Sequence, residues 1–383
     1  MCGWLVDPDI FYFHANIRTS CNRIKFHVSI FANILSKRIL SEDTNKTISM
    51  AFRHQPMGVT VEDLSKEEIA ALKVRGYGKF DHLVRVDPGG AVFPPEYRQL
   101  CEAYRSFAFR SDDVVVMSYP RSGSTWTREI LWAMKHIDHL HLADLHHVNK
   151  RVFPVHYDTF SSYNEIDFSN FLEIPDNKDQ GGEPSIMKLA AAATSPRIIA
   201  STMHFCHFHP DLLDSCKVVY VARNPKDVCL SSYLMYSRMG RFEGNLSAWT
   251  ELFTGNSLIY GPYWQHLRQA WARRGHQNLH VMFYEDMKAD ILKELKRLNS
   301  FLETFLSDDQ LLRIKEHTEF EKMKAREKKP FLKLVKPGGF YQGGQVGAWS
   351  SSASAELDDR MNAWIAANCG DLDLPPLYNM HKQ

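Results

Sequence analysis

Asp113-Val114-Val115-Val116-Met117-Ser118-Tyr119-Pro120-Arg121-Ser122-Gly123-Ser124-Thr125-Trp126 is the stretch on which the fold turns. Its first six residues form a short apolar, β-branched run, which suits a strand buried on both faces of a parallel sheet. From Ser124 onward Trp126, Ile130, Leu131, Met134 and Ile137 recur at helical spacing, giving a helix with one apolar face. Between strand and helix lies a polar turn that contains a glycine. A strand that stops at such a turn and enters a helix aims several backbone N–H groups and the positive helix end at one point, which favours an anion. Arg121 adds a cation there, and Ser122, Ser124 and Thr125 add hydroxyl donors. The turn is not a Walker A motif, because no lysine precedes the Ser-Thr pair, and an ordinary ATP or GTP hydrolase is disfavoured.

The same grammar recurs at Lys217–Ala222, a strand, followed by Asn224 as helix cap and Pro225 as first helical residue, with the helix running to about Tyr236. Arg197–Met203 and Leu279–Phe283 are further strand candidates, and helices are predicted across 289–303, 308–317 and 355–368. Strands separated by helices imply an α/β domain with a central parallel sheet flanked by helices. Residues 1–55 show little sustained period and read as an N-terminal extension, leaving 56–383 as the single α/β domain. The basic stretch Arg18–Arg38 reads as a surface helix or loose extension rather than a targeting segment.

Across 383 residues there are 46 Lys+Arg against 45 Asp+Glu, a formal net charge of +1. A protein that coats nucleic acid or an anionic membrane carries a large basic excess, so no nucleic-acid partner is expected and any anionic ligand must be held by local charge. The seven cysteines form no Cys-x-x-Cys pair, the pattern of a reduced, cytoplasmic chain. No window carries the roughly twenty apolar residues of a membrane span.

Four colinear segments, YPRSGSTW (119–126), VVYVARNPKDVCLSSY (218–233), FYEDMK (283–288) and HTEFEKMK (317–324), resemble the cytosolic sulfotransferase family. The resemblance implies a P-loop-kinase-like fold and 3′-phosphoadenosine-5′-phosphosulfate as co-substrate. It implies that Arg121, Ser122, Gly123, Ser124 and Thr125 cradle the 5′-phosphosulfate, with Trp126 flanking the adenine. Arg223 and Ser231 would hold the 3′-phosphate, and Tyr284, Thr318, Phe320 and Gly344 fall on the family's remaining nucleotide positions. Arginine suits this role as a charge-assisted fork.

Three departures bear on catalysis. Arg121 stands where the family usually has lysine, keeping the charge that neutralises the leaving phosphate. In Arg197-Ile198-Ile199-Ala200-Ser201-Thr202-Met203-His204, direct alignment puts Thr202 at the family's catalytic histidine and Ala200 at its lysine. Threonine is no general base near neutral pH, and a shift of two residues makes His204 the predicted base. In Phe340–Trp349, Gln342 and Gly343 replace two cations that grip the 3′-phosphate, while the lysines between 322 and 336 make the local field positive.

His204, Cys206, His207 and His209 have spacings that can bring ligands together, but no second cluster completes four, although His139, His141, His146 and His147 are numerous. Sulfuryl transfer moves a group with one charge fewer than phosphoryl transfer, so no metal is expected to be required. The function these readings support is sulfuryl transfer to a hydroxyl or amine of a small, largely apolar acceptor. The alternatives are a nucleotide-binding pseudoenzyme, a retinol-dehydratase-like enzyme or a small-molecule kinase. The family's dimer motif is not found, and monomer or homodimer stays undecided.

Overall fold

The computed structural model describes residues 58–163, 185–327, 341, 343–370 and 372–375. The 1–55 extension with its basic stretch, and Lys328, Lys329, Lys333, Lys336 and Gln342, lie outside the described residues. The chain enters through an antiparallel sheet, β1 (Thr60–Asp63), β2 (Val84–Asp87) and β3 (Ala91–Phe93), paired in that order. The strand signals of the sequence did not mark these short segments.

The predicted parallel sheet follows. It comprises β4 (Val114–Ser118), β5 (Phe153–Pro154), β6 (Ile198–Ser201), β7 (Lys217–Ala222) and β8 (Leu279–Phe283), in the order β5-β6-β4-β7-β8. Side chains of a strand alternate between faces. Val115, Met117, Val218 and Tyr220 accordingly enter one apolar cluster, whereas Val114, Val116, Val219 and Val221 enter the other. Both faces being covered explains why these strands read as unbroken apolar runs.

Helices follow three of the strands directly: α1 (Ser124–Lys135) after β4, α2 (Pro225–Arg238) after β7, and, past α3 (Tyr263–Trp271), α4 (Tyr284–Ala289) after β8. Asn224 caps α2 through its side chain, which accepts from Lys226 N at 2.9 Å, with Pro225 in the first turn. Two more helices, α5 (Asp308–His317) and α6 (Phe320–Arg326), cover the edge beside α1, and the remaining predicted helices form at Ile291–Leu302 and Ala355–Cys369. Among the described residues no helix is long and apolar enough to cross a membrane.

A buried ion pair fixes β6 against β4. Arg197 Nε donates to Asp113 Oδ1 at 2.8 Å and Nη2 to Oδ2 at 2.5 Å, while the same guanidinium reaches the carbonyls of Ala190 and Ala108. A charge pair this deep is kept only when every donor finds an oxygen, as here. With the amino ends of the strands clamped, their carboxyl ends at Ser118, Ser201 and Ala222 open side by side. In an open α/β sheet that edge, where strand order reverses around β4, is where ligands bind.

Candidate active site

The turn after β4 is held in an unusual backbone shape. Arg121 has φ 71° and Gly123 φ 108°, and a left-handed conformation at an arginine costs on the order of 1 kcal/mol. The strain is offset by contacts. Arg121 Nε donates to Ser231 Oγ on α2 at 3.1 Å, and the Arg121 carbonyl accepts from Arg223 Nη1 at 3.1 Å. Burial, then the charge of Arg223, pulls the Arg121 guanidinium down to about 10, which leaves it protonated at neutral pH.

Arg223, at the mouth of α2, is the hub. Its Nη2 donates to Gln345 O at 2.9 Å, its guanidinium carbon lies 4.3 Å from the centre of the Tyr284 ring, and its buried Nε has no hydrogen-bond partner. Tyr284 in turn donates to Gly344 O at 2.9 Å and meets Trp126 edge to face at 5.8 Å. Gly344 has φ 61° and abuts Phe320 so closely that a Cβ would lie 2.8 Å from the ring. The segment carrying Gly344 is docked by Asp227, whose carboxylate accepts from Gly347 N and Trp349 N.

These residues surround a cavity of about 400 Å³. Of the residues singled out in the sequence, Arg121, Gly123, Ser124, Thr125, Trp126, Arg223, Ser231, Tyr284, Thr318, Phe320 and Gly344 line it. Ser122 is fully buried behind the turn, its hydroxyl without a partner. The residues fit an anionic purine nucleotide on three counts. Arg121, Arg128, Arg223 and Arg241 line the cavity with a buried Arg223 donor left over, Gly123 and Gly344 let the Tyr284 and Phe320 rings pack against the backbone, and Trp126, Tyr284 and Phe320 add aromatic side chains to the lining. The rest of the lining is largely aromatic and apolar, with Phe80, Trp249, Tyr236, Tyr260, Met235 and Met239 among its residues and the Arg241 guanidinium 4.8 Å from the centre of the Phe80 ring.

His204 is not in the cavity. Its imidazole is fully buried, Nε2 lies 3.0 Å from the Tyr260 carbonyl, and its neighbours are His207 and His266. The two-residue shift is a choice of alignment, and the sequence predicts a strand that runs from Arg197 to Met203. β6 ends at Ser201, the chain turns, and His204 becomes the residue that precedes the 3₁₀ turn Phe205–His207. Thr202 itself lines the cavity.

Among the cavity residues that escaped the sequence reading, two bear on the chemistry. His156 lies in the 3₁₀ turn that follows β5, whose Pro154 pairs with Ala200 of β6, and both His156 and Thr202 line the cavity. Its Nδ1 lies 3.4 Å from the Ala200 carbonyl. A carbonyl only accepts, so Nδ1 carries the hydrogen and Nε2 keeps its lone pair. Burial, then the charge of Arg128, pulls this imidazole down to about 3 and keeps it neutral at physiological pH. Arg128 is the second. It donates to Asn149 Oδ1 at 2.8 Å and Thr125 Oγ1 at 3.0 Å, adding a buried cation beneath the turn. A lone histidine after a two-residue strand and an arginine inside a helix give no motif to recognise.

Comparison with known proteins agrees with this geometry. Residues 111–373, well over half of the chain, match the family model described as "Sulfotransferase domain". The luciferin sulfotransferase of Photinus pyralis is 26% identical over 281 residues, covering 70% of this chain and 74% of that protein. Sulfotransferase 1E1 of Homo sapiens is 26% identical over 300 residues, covering 75% and 92%. Among solved structures, a retinol dehydratase in complex with androsterone and the inactive cofactor PAP superposes with TM-score 0.74 at 25% identity, covering 84% of this chain and 99% of that one.

Proposed function

Because the chain belongs to the sulfotransferase domain family, we propose that it transfers a sulfuryl group from 3′-phosphoadenosine-5′-phosphosulfate to a hydroxyl or amine of a small, largely apolar acceptor, with His156 as general base. The observation that carries this reading is a cavity lined by Arg121 and Arg223, by many aromatic and apolar side chains and by the neutral imidazole of His156. PAP in the related retinol dehydratase supports the choice of nucleotide.

Each residue then has a task. The donor nucleotide supplies the sulfuryl group. Arg223 and Ser231 at the start and middle of α2 hold its 3′-phosphate, while the backbone of 121–125 and the Thr125 and Ser124 hydroxyls hold the 5′ end. Arg121, charged and fixed by Ser231, neutralises the negative charge that grows on the leaving phosphate as its bond to sulfur breaks. His156 Nε2 takes the proton of the acceptor hydroxyl as the new oxygen–sulfur bond forms. The aromatic wall binds the acceptor by excluding water, and its enclosed shape holds acceptor and donor in line.

The test combines binding and turnover. Adenosine 3′,5′-bisphosphate should raise the midpoint of thermal unfolding by mass action, and labelled sulfate should pass from donor to members of a panel of phenols, sterols, retinol and amines. Absence of any midpoint shift would refute the nucleotide site. Thr202 at the family's histidine position favours a second reading, a nucleotide-binding protein without turnover. Midpoint shift with no transfer to any acceptor would favour that one. A dehydrated rather than sulfated product from retinol would point to chemistry like that of the retinol dehydratase.

A further inference from the structure

His204, Cys206 and His207 converge at the far end of β6. The Nδ1 or Nε2 atom of each imidazole and the Cys206 Sγ all lie within 4.8 Å of one another. Two facts make the convergence chemically pointed. His204 Nδ1 and His207 Nε2 are both buried and have no hydrogen-bond partner. In each ring the opposite nitrogen is already engaged, His204 Nε2 with the Tyr260 carbonyl at 3.0 Å and His207 Nδ1 with the Tyr97 hydroxyl at 2.5 Å. Because the carbonyl only accepts, His204 carries its hydrogen on Nε2 and turns a bare lone pair into the cluster. When the Tyr97 hydroxyl accepts from Nδ1–H, His207 does the same. An imidazole whose outer N–H is held by an oxygen is the arrangement that orients histidine toward a metal.

The sulfur is prepared in the same way. Gln269 Nε2 donates to Cys206 Sγ at 3.3 Å, and Gln269 Oε1 accepts from Cys206 N at 2.9 Å, so the side chain is held from two sides. Cys206 is only half-buried, which leaves an entry path from solvent. Gly89, at φ 115°, closes the remaining side: a Cβ there would come within 3.5 Å of both Cys206 Sγ and His204 Nδ1. A buried imidazole nitrogen without a hydrogen-bond partner is costly, and two of them side by side call for an occupant.

We propose that His204, Cys206 and His207 bind a single zinc-type divalent transition-metal ion through one sulfur and two nitrogens, with the fourth position taken by water or the nearby Pro88 carbonyl. A sulfur-and-imidazole donor set is the one that suits zinc, and three protein ligands with one open position is an established zinc coordination pattern. Tetrahedral bonds of about 2.0–2.3 Å place ligand atoms roughly 3.3–3.8 Å apart, so atoms now up to 4.8 Å apart close by about 1.5 Å or less as the ion enters. The thiol, which donates to Pro88 O at 3.1 Å, releases its proton to solvent as the thiolate binds, and no oxidant or reductant is involved. The ion would tie the turn at Pro88–Gly89 to the end of β6, to α3 through Gln269, and to the Tyr260 loop, which forms part of the cavity wall. The site does not depend on the sulfotransferase reading, because none of its three ligands lines the cavity.

The full chain, stripped with chelator and titrated with Zn²⁺ or Co²⁺, tests this. The expected results are one ion per chain, a raised unfolding midpoint, and a thiolate-to-cobalt charge-transfer band. Cys206→Ser should abolish the band, and His207→Ala should weaken Zn²⁺ binding by more than about a hundredfold, beyond what loss of a group merely hydrogen-bonded to a ligand costs. His209→Ala, an exposed histidine close in sequence, should change nothing. Should a substituted chain fail to fold, the parent protein still decides: Zn²⁺ should slow alkylation of Cys206 and leave that of Cys101 unaltered. A Co²⁺ complex without the thiolate band, unprotected Cys206, or a Zn²⁺ response undiminished in Cys206→Ser and His207→Ala would overturn the proposal and leave a water between the imidazoles.

Discussion

The Tyr284 ring occupies the space that a side chain at position 123 would need: a Cβ built on Gly123 lies 2.8 Å from Tyr284 Cδ2, at φ 108°. The same ring carries the Arg223 guanidinium on its face. Displacing it therefore moves the principal cation of the site. Gly123→Ala should destabilise the fold by about 1–3 kcal/mol and weaken adenosine 3′,5′-bisphosphate binding more than tenfold. In a Tyr284→Ala background the added cost of Gly123→Ala should shrink, because the clash is gone. Equal costs in both backgrounds, measured by urea unfolding, would contradict this account.

Arg223 combines three jobs that no shorter cation performs together: it holds the Arg121 and Gln345 carbonyls, stacks on Tyr284 and retains a spare buried donor. Arg223→Ala should lower affinity for adenosine 3′,5′-bisphosphate by about a hundredfold, the equivalent of one or two charge-assisted hydrogen bonds. Arg223→Lys should recover little, since an ammonium lacks the planar fork. Calorimetric titration checks both. Near-parent affinity in the lysine variant would show that only charge matters there.

The sheet and the nucleotide half of the cavity were legible in the sequence because their causes are local. Apolar runs fix buried strands, Asn224-Pro225 fixes a helix start, and Gly123 between hydroxyls fixes an anion turn. Arg121, Gly123, Ser124 and Thr125 line the cavity for that reason, whereas Trp126, Arg223, Ser231, Tyr284, Thr318, Phe320 and Gly344 were pointed out by the family resemblance. What was not legible depends on pairing across distance. His156 reaches the cavity from the turn that follows β5 beside β6, and His204 lies outside it because β6 ends at Ser201, two residues short of the predicted strand. The antiparallel sheet of 60–93 is built from strands of three and four residues, too short to show a period. The cluster of His204, Cys206 and His207 could be suspected from spacing alone, but the partners that orient it, Tyr260, Tyr97 and Gln269, are spread along the chain.

If His156 is the base, His156→Ala should lower the transfer rate about a hundredfold to ten-thousandfold with little change in nucleotide affinity, since the neutral imidazole contributes no charge to an anion site. The pH profile discriminates further. Held near 3 rather than 6.5, the imidazole is unprotonated throughout the neutral range, so transfer should stay flat from pH 8 to 5 instead of falling below 6.5. A rate that halves near pH 6.5 would assign the base to some other group.

Glu129 gives the last prediction, on acid stability. Arg151 Nη2 lies 2.7 Å and His317 Nε2 2.8 Å from its carboxylate, with Arg326 at 3.5 Å. Burial opposes the charge, but the hydrogen bond from His317 and the charge of Arg151 prevail and hold Glu129 at about 2, below its ordinary 4.5. A depressed carboxylate stabilises the fold above its unfolded value and stops doing so as pH falls through the folded one, so this contribution, roughly 3 kcal/mol, fades between pH 4.5 and 2. Buried histidines act earlier. His147 and His280, held at about 4, and His156, at about 3, are neutral in the fold but take up protons once unfolded below 6.5. Unfolding at pH 5 should therefore take up about three protons from these groups, and stability should already decline below pH 6.5. In Glu129→Gln the upper phase of the decline should persist while the deficit relative to the parent, roughly 3 kcal/mol at pH 7, narrows below pH 4.5. Urea unfolding at several pH values measures it, and a deficit that stays constant from pH 7 to 3 would mean that Glu129 contributes by packing and not by charge.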